Sequence, residues 1–380
     1  MAIYLDHNAT TPLDSRVLDA MLPWLEGVHG NPSSIHRPGR AARDALDKAR
    51  AQVAALVNAR PTEVVFTSGG TEADNLALKG VCHGKPGGRL LISAIEHAAI
   101  MGPAGDLGRM GWQVERVPVD GECRLKHQAL QKLLDRKVRL VSVMLANNET
   151  GVLQDVQAVA AAAHGQDALL HTDAIQAAGK LPVDFAALEA DLLSLSAHKF
   201  GGPRGVGALI VHRRVGLLAQ ISGGGQERGL RGGTENLAGV VGFGAAAELA
   251  QSELQARMRH MRRLRDALES GLHSIPGVHI FAQSAQRLPN TVQLGLAGIH
   301  GEAAVMELDR HGIAVSSGSA CHSGSGQPSH VLLAMGVEEM QARSAVRISI
   351  GGGNSLEDIH ELLAALKALA ASHSEALEPA

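Results

Sequence analysis

The run SSGSACHSGSG at residues 316–326 sets Cys321 among small polar residues. A cysteine kept for packing behaves as a small hydrophobe and prefers apolar neighbours. The nearest side chains able to act on the Cys321 thiol are Ser319, His322 and Ser323, which suits a thiol used in a reaction and carried on a loop. The other cysteines, Cys82 and Cys123, lie far away in sequence, and the odd total of three argues against a disulfide framework. No CxxC or Cys/His cluster has zinc-ligand spacing, so no resident metal is expected.

Further candidates follow short apolar runs. After EVVFT (63–67) comes SGGT and then a helical pattern. Glycines ahead of a helix N-terminus leave N–H groups for a phosphate; a plain tight turn with Thr71 as helix cap is the other reading. After ALLHT (168–172) comes Asp173, with Gln176 close behind; a carboxylate there also serves as an ordinary cap. After DLLSLS (191–196), Lys199 lies between His198 and Phe200 in a glycine-rich loop. Such a lysine either snorkels to the surface or is a desolvated amine with a lowered pKa, ready to form a Schiff base. His97, in SAIEHAAI, follows the run 88–93 and faces the same edge.

In open parallel sheets, function gathers beyond the carboxyl ends of the strands. Taken together, a phosphate cradle, a carboxylate and a lysine on successive strand ends are the parts that hold pyridoxal phosphate. The carboxylate keeps the pyridine nitrogen protonated, and the lysine carries the ring.

The elements that must position these groups alternate between helix and strand. Ala42, Leu46, Ala49, Val53 and Leu56 have helical spacing, and 71–80, 126–136 and 155–164 also read as helices. The runs 63–67, 88–93, 138–145, 168–172 and 191–196 fit strands buried on both faces. Alternation of this kind implies a mainly parallel sheet covered by helices. VGALIVH (206–212) follows a Gly/Pro turn too closely for a crossover helix and reads as an antiparallel addition. Beyond about residue 250 comes a long helix from Leu254, strands at 290–296, 313–317 and 345–351, a helix at 301–310, and a last helix starting at Ser355 with Asp358 assisting its cap. The expected organisation is a large cofactor-binding domain at 15–253. Residues 1–14 and 254–380 form a smaller α+β domain that carries the cysteine loop (316–328).

The 380 residues are 45% hydrophobic and 19% charged, with a net charge of −3. That balance fits a globular protein and calls for neither nucleic acid nor an anionic membrane as partner. No apolar run reaches the ~20 residues of a membrane span. The segment MAIYLDHNATTP lacks a signal pattern, so a cytoplasmic protein is expected.

At this point the chain resembles the cysteine desulfurases of the NifS/IscS type, within the class V aminotransferase fold. The resemblance rests on GNPSSIH (30–36), FTSGGTEADN (66–75), EHAA (96–99), ANNETG (146–151), HTDAIQ (171–176), SLSAHKFGGPRGVG (194–207), RGGTEN (231–236) and SSGSAC (316–321), spread over nearly the whole chain. It implies the type I pyridoxal-phosphate transferase fold, with a mainly parallel seven-stranded sheet, and pyridoxal 5′-phosphate as cofactor. By this resemblance Lys199 carries the cofactor, Asp173 pairs with the pyridine nitrogen, Gln176 with the ring hydroxyl, and His97 stacks on the ring. Gly70, Thr71, Ser196 and His198 hold the phosphate, with Thr234 reaching in from the second subunit of a homodimer. Asn148, Arg347 and His36 bind the substrate, L-cysteine. Cys321 is the nucleophile that takes its sulfur as a persulfide, leaving alanine.

The sulfur then passes to an acceptor protein, for iron–sulfur cluster, tRNA or DNA sulfur chemistry. Cys321 is also a candidate ligand for a transferred iron–sulfur cluster. Two features depart from the pattern. His322 stands where relatives more often have a small hydroxyl residue, and the chain ends soon after the last helix, where scaffold-docking members continue into a tail. A selenocysteine lyase or a transaminase of the same fold is the alternative; neither would need Cys321. A non-catalytic relative would be expected to lack Lys199 or Asp173.

Overall fold

The computed structural model describes residues 3–83, 87–318 and 327–377. Among these residues thirteen strands run in chain order as β1 (Ile3–Tyr4), β2 (Val64–Thr67), β3 (Arg89–Ser93), β4 (Gln113–Val117), β5 (Val138–Ser142), β6 (Leu169–Asp173), β7 (Leu192–Ser196), β8 (Gly207–Val211), β9 (Val278–Ile280), β10 (Thr291–Leu296), β11 (Ile313–Ala314), β12 (Ser316–Ser317) and β13 (Ala345–Ser349). Seven of them form one sheet in the order β2-β8-β7-β6-β5-β3-β4. Pairing is parallel from β4 through β7, and β8 runs antiparallel to both of its neighbours.

Successive residues of a strand point to opposite faces, and this sheet buries both. Val64, Phe66, Leu91, Val141, Leu170, Leu193 and Leu195 pack into one apolar cluster. Val65, Leu90, Ile92, Leu140, Leu192 and Leu209 pack into another. The first cluster also takes Leu46, Ala49 and Val53 of the helix Arg37–Leu56 and Phe243 of the helix Leu237–Ser252. The second is covered by the helices Gly70–Cys82 and Ala98–Arg109. These continuous apolar strands are the runs legible in the sequence.

β4 is different. Of QVERV only Val117 is buried, because β4 is the sheet's edge strand. It carries no apolar run and gives no strand signal of its own.

A separate cluster gathers Leu5, Met261, Leu264, Leu268, Val292, Leu294, Val346, Ile348, Ile359, Leu362 and Leu366. Here the four-stranded antiparallel sheet β12-β13-β10-β9 packs against the helices Leu254–Leu272 and Leu356–Leu377, and β1 pairs in parallel with β11. The last helix opens as expected: Ser355 N donates to Asp358 Oδ2 at 3.0 Å and Asp358 N donates to Ser355 Oγ at 3.2 Å, a reciprocal capping box.

Candidate functional site

The carboxyl ends of β6 and β7, the start of the helix Gly70–Cys82, and β13 converge on one cavity of about 300 Å³. Its lining includes Gly70, Thr71, His97, Asn148, Asp173, Gln176, Ser196, His198, Lys199 and Arg347, with Asn8, Ala9, Ala99, Met144 and Ile175.

The helix begins at Gly70, and its cap is Gly69 rather than Thr71. The alternative reading, with Thr71 as the cap, does not hold: Thr71 lies inside the first turn and lines the cavity. Gly69 brings no side-chain acceptor to the turn, so the first N–H groups are left for something else. Two glycines make the approach possible. A Cβ on Gly70 would stand 2.3 Å from Ile175 Cδ1, and one on Gly207 would stand 2.5 Å from the carbonyl carbon of Gly69. The β8 backbone thus lies directly under the glycine turn and holds it at the end of β7.

Asp173 closes β6 and is 5% exposed. Its Oδ1 accepts from Ile175 N at 2.8 Å. Burial pushes its pKa up to about 6, against the pull of that N–H and of Lys199. A carboxylate this deep needs a cationic partner to stay ionised, and a protonated pyridine nitrogen is one. Glu96 lies fully buried on the same side, with Oε1 accepting from Ser93 Oγ and from Met144 N. Burial raises it to about 8, and Asp173 adds to the rise. His171, two residues before Asp173, sits between Ser142 Oγ and Ser194 Oγ, each at 2.9 Å. Burial lowers its pKa to about 3, so it is neutral.

Lys199 ends a single tight turn, Ala197–Lys199, beyond β7. Its Nζ donates to the backbone oxygens of Asn8 at 2.6 Å and Ala9 at 2.9 Å. His198 Nδ1 meets Thr10 Oγ1 at 3.0 Å, and burial with the charge of Lys199 lowers its pKa to about 4. His97 caps the helix Ala98–Arg109 by accepting from Ala99 N at Nδ1, which fixes its ring at the cavity wall.

Arg347, in the middle of β13, is 2% exposed. Its Nη2 donates to Asp6 Oδ1 at 2.7 Å and its Nη1 to the Asn148 carbonyl at 3.1 Å. Its Nε and the side-chain oxygen of Asn148 are buried without a hydrogen-bond partner among the described residues. Buried polar groups are rarely left unmet, and both residues belong to the cavity lining.

His36 and Thr234 lie elsewhere. Both are exposed and neither lines the cavity; His36 caps the helix Arg37–Leu56 through Nδ1. Cys321 and His322 lie outside the described residues. Sequence reasoning missed Asn8, Ala9, Glu96, Met144, Ile175 and Lys180. Asn8 stands in a motif-like stretch, DHNATTP, but no local pattern places it beside Lys199.

The residues fit pyridoxal phosphate: free helix N–H groups at a side-chain-less turn, a buried carboxylate wanting a cation, and a lysine held by two carbonyls. The volume also matches the ~300 Å³ lower end of small-molecule sites. The family model for class V aminotransferases matches residues 3–362. A cysteine desulfurase of Sinorhizobium fredii is 47% identical over 371 residues, 97% of this chain and 96% of that protein. The cysteine desulfurase IscS of Dictyoglomus turgidum is 40% identical, covering 96% of this chain and 93% of its own. A solved NifS-like protein superposes with a TM-score of 0.92 at 38% identity, over 98% of this chain and 100% of that one. The chain belongs to the class V aminotransferase family. Within it, the activity is that of a cysteine desulfurase, which depends on pyridoxal phosphate.

Proposed function

We propose that this cavity takes L-cysteine and that Cys321 carries the sulfur away. The observation that supports the reading is the convergence of Thr71, Asp173, Lys199, Asn148 and Arg347 on one cavity. Thr71, Ser196 and His198, with the N–H groups at Gly70, would hold the phosphate. With the cofactor bound, Asp173 would pair with the ring nitrogen, Gln176 with the ring hydroxyl, and His97 would stack on the ring. The cofactor, when bound, supplies an electron sink for the substrate's α-carbon.

The chain's own groups do the rest. Arg347 and Asn148 orient the substrate carboxylate, with Asp6 bracing the guanidinium. With the cofactor bound, the Lys199 amine would take the Cα proton. The Cys321 thiolate attacks the substrate sulfur. The carbon–sulfur bond breaks with its electron pair going to carbon, a proton added at Cβ and one returned to Cα by Lys199 complete alanine, and Cys321 keeps a persulfide. An acceptor protein then removes that sulfur.

Thr234 acts across a homodimer, at the partner's phosphate, and its exposure away from the cavity of its own chain supports that placement. The cluster that joins Leu5 to Met261, Val292, Val346 and Ile359 supports grouping 1–14 with 254–380, and a further cluster, of Ile95, Val119 and Met144 with Phe281, Val331 and Ala345, packs that part against 15–253. The protein works in the cytoplasm. No described helix is long and apolar enough to cross a membrane, in keeping with that placement.

Cys321→Ser tests the reading. The variant binds cofactor and cysteine, and it forms neither alanine nor persulfide in a single turnover, because a hydroxyl is a far weaker nucleophile toward sulfur. Alanine production at the wild-type rate refutes the assignment and favours a lyase that releases the chalcogen directly.

A further inference from the structure

Lys180 lies behind the cavity wall, four residues after Gln176, and is 4% exposed. Its Nζ donates to Gln176 Oε1 at 2.9 Å and to Asn8 Oδ1 at 3.1 Å. Gln176 Nε2 donates to the Asn8 carbonyl at 2.9 Å, and that same carbonyl accepts from Lys199 Nζ at 2.6 Å. Asn8 is pinned as well: Asn290 Nδ2 donates to its Oδ1 at 3.1 Å, and its own Nδ2 donates to Thr291 Oγ1 at 2.9 Å and to the Asn148 carbonyl at 3.2 Å. One buried amine therefore reaches two groups that bear on the cavity.

A carboxamide has two chemically different ends, and only its oxygen accepts from an amine. With Oε1 committed to Lys180, the NH2 of Gln176 is the end turned toward Asn8 and the cavity. Burial first, then the charges of Lys199 and Arg347, lower the Lys180 pKa well below its ordinary value, and no carboxylate among the described residues acts on it. Burying an amine without a counter-charge is costly, and an apolar side chain of like length would fill the same space without that cost.

We propose that Lys180 is a positioning residue of the cofactor site. It holds the Gln176 carboxamide with its Nε2 donor on the cavity side, and it holds the Asn8 carbonyl on Lys199. The proposal rests on the reading that the cavity takes pyridoxal phosphate with Gln176 at the ring hydroxyl. Without Lys180 the carboxamide is free to turn and present an oxygen where a donor is needed.

The test uses holoenzyme with Lys180→Met, Gln176→Ala and the double variant, reading cofactor affinity and the pH at which the bound cofactor's visible absorption changes. Methionine matches the lysine stem and removes an uncompensated buried amine, so the variant folds; Lys180→Leu is the second choice. Lys180→Met weakens cofactor binding about tenfold, the scale of one lost hydrogen bond. It moves the absorption change up by about one pH unit, because the donor that Lys180 holds toward the ring oxygen is lost. Gln176→Ala moves it the same way, and the double variant matches the larger single effect, as expected for residues acting in series. An unmoved titration in Lys180→Met, or effects that add in the double variant, overturns the proposal. A shift in Lys180→Met with none in Gln176→Ala overturns the route through Gln176. A wild-type protein that stays colourless with pyridoxal phosphate overturns the cofactor reading itself, and this proposal with it.

Discussion

Replacing Glu96 by Gln removes a charge that the fold is poorly built to bury. Glu96 has no exposed surface, accepts from Ser93 and Met144 at one oxygen, and leaves Oε2 without a partner among the described residues. Burial lifts its pKa from an ordinary 4.5 to about 8. A carboxyl whose folded pKa is raised holds its proton more tightly in the folded state. Stability is therefore greatest below pH 4.5, falls as pH rises toward 8, and is level above it. Taken at full value, that displacement is worth about 5 kcal/mol at about 1.4 kcal/mol per pH unit. Local relaxation around the charge reduces this to about 2–3 kcal/mol.

Glutamine keeps the accepting oxygen and mimics the protonated acid. Glu96→Gln thus melts with the wild type at pH 5 and about 3–6 °C above it at pH 9, on the usual relation between stability and melting temperature. The assay is a series of melting curves of the cofactor-free protein from pH 5 to 9. A variant that follows the wild-type pH dependence in parallel refutes the reasoning, since Glu96 would then be ionised and satisfied throughout.

Asp173→Ala keeps the phosphate contacts and loses the ring's counter-charge; it retains bound cofactor while turnover falls by at least about a hundredfold, followed by absorbance and alanine release. Lys199→Ala loses the covalent cofactor linkage, and borohydride trapping with peptide mapping checks this. Mixing Lys199→Ala with Thr234→Ala subunits restores a working site in the hybrid dimer; failure of the mixture to regain activity, with exchange demonstrated, removes Thr234 from the partner's site. In the wild type, persulfide maps to Cys321 and not to Cys82 or Cys123, whose thiols are buried and pushed up to about 12.

The legible parts of this chain are those where local pattern and global role coincide. Strands β3, β5, β6 and β7 are buried on both faces, so their apolar runs announce them, and the Gly/Pro turn before β8 announces a reversal of direction. The Ser355–Asp358 capping box is local and readable. β4 is not, because an edge strand has no need of an apolar run. Lys199, Asp173 and His97 could be assembled because each follows a strand end. Asn8 and Lys180 could not. They meet the site through contacts with residues 168 or more positions distant, or through an irregular turn with no periodicity. The glycine turn was readable as a class of feature, but whether Gly69 or Thr71 caps it depends on one backbone angle that composition does not set.

The site is spread along the chain in a way that bears on how it is made. Asp6 and Arg347, which brace one another, are 341 residues apart, and β1 has its partner strand at residues 313–314. β2, which leads into the glycine turn, pairs among the described residues only with β8, beginning at residue 207. A nascent chain emerging N-terminus first must therefore keep its first ten residues waiting until almost the whole protein has been synthesised. Until then Lys199 lacks the settled carbonyls that hold it, and the cavity lacks its arginine. Cofactor capture then becomes the last event of maturation, and a ribosome that stops before β13 releases a chain whose large sheet can form but which cannot acquire colour. Loading with pyridoxal phosphate would in effect report that translation reached the end of β13.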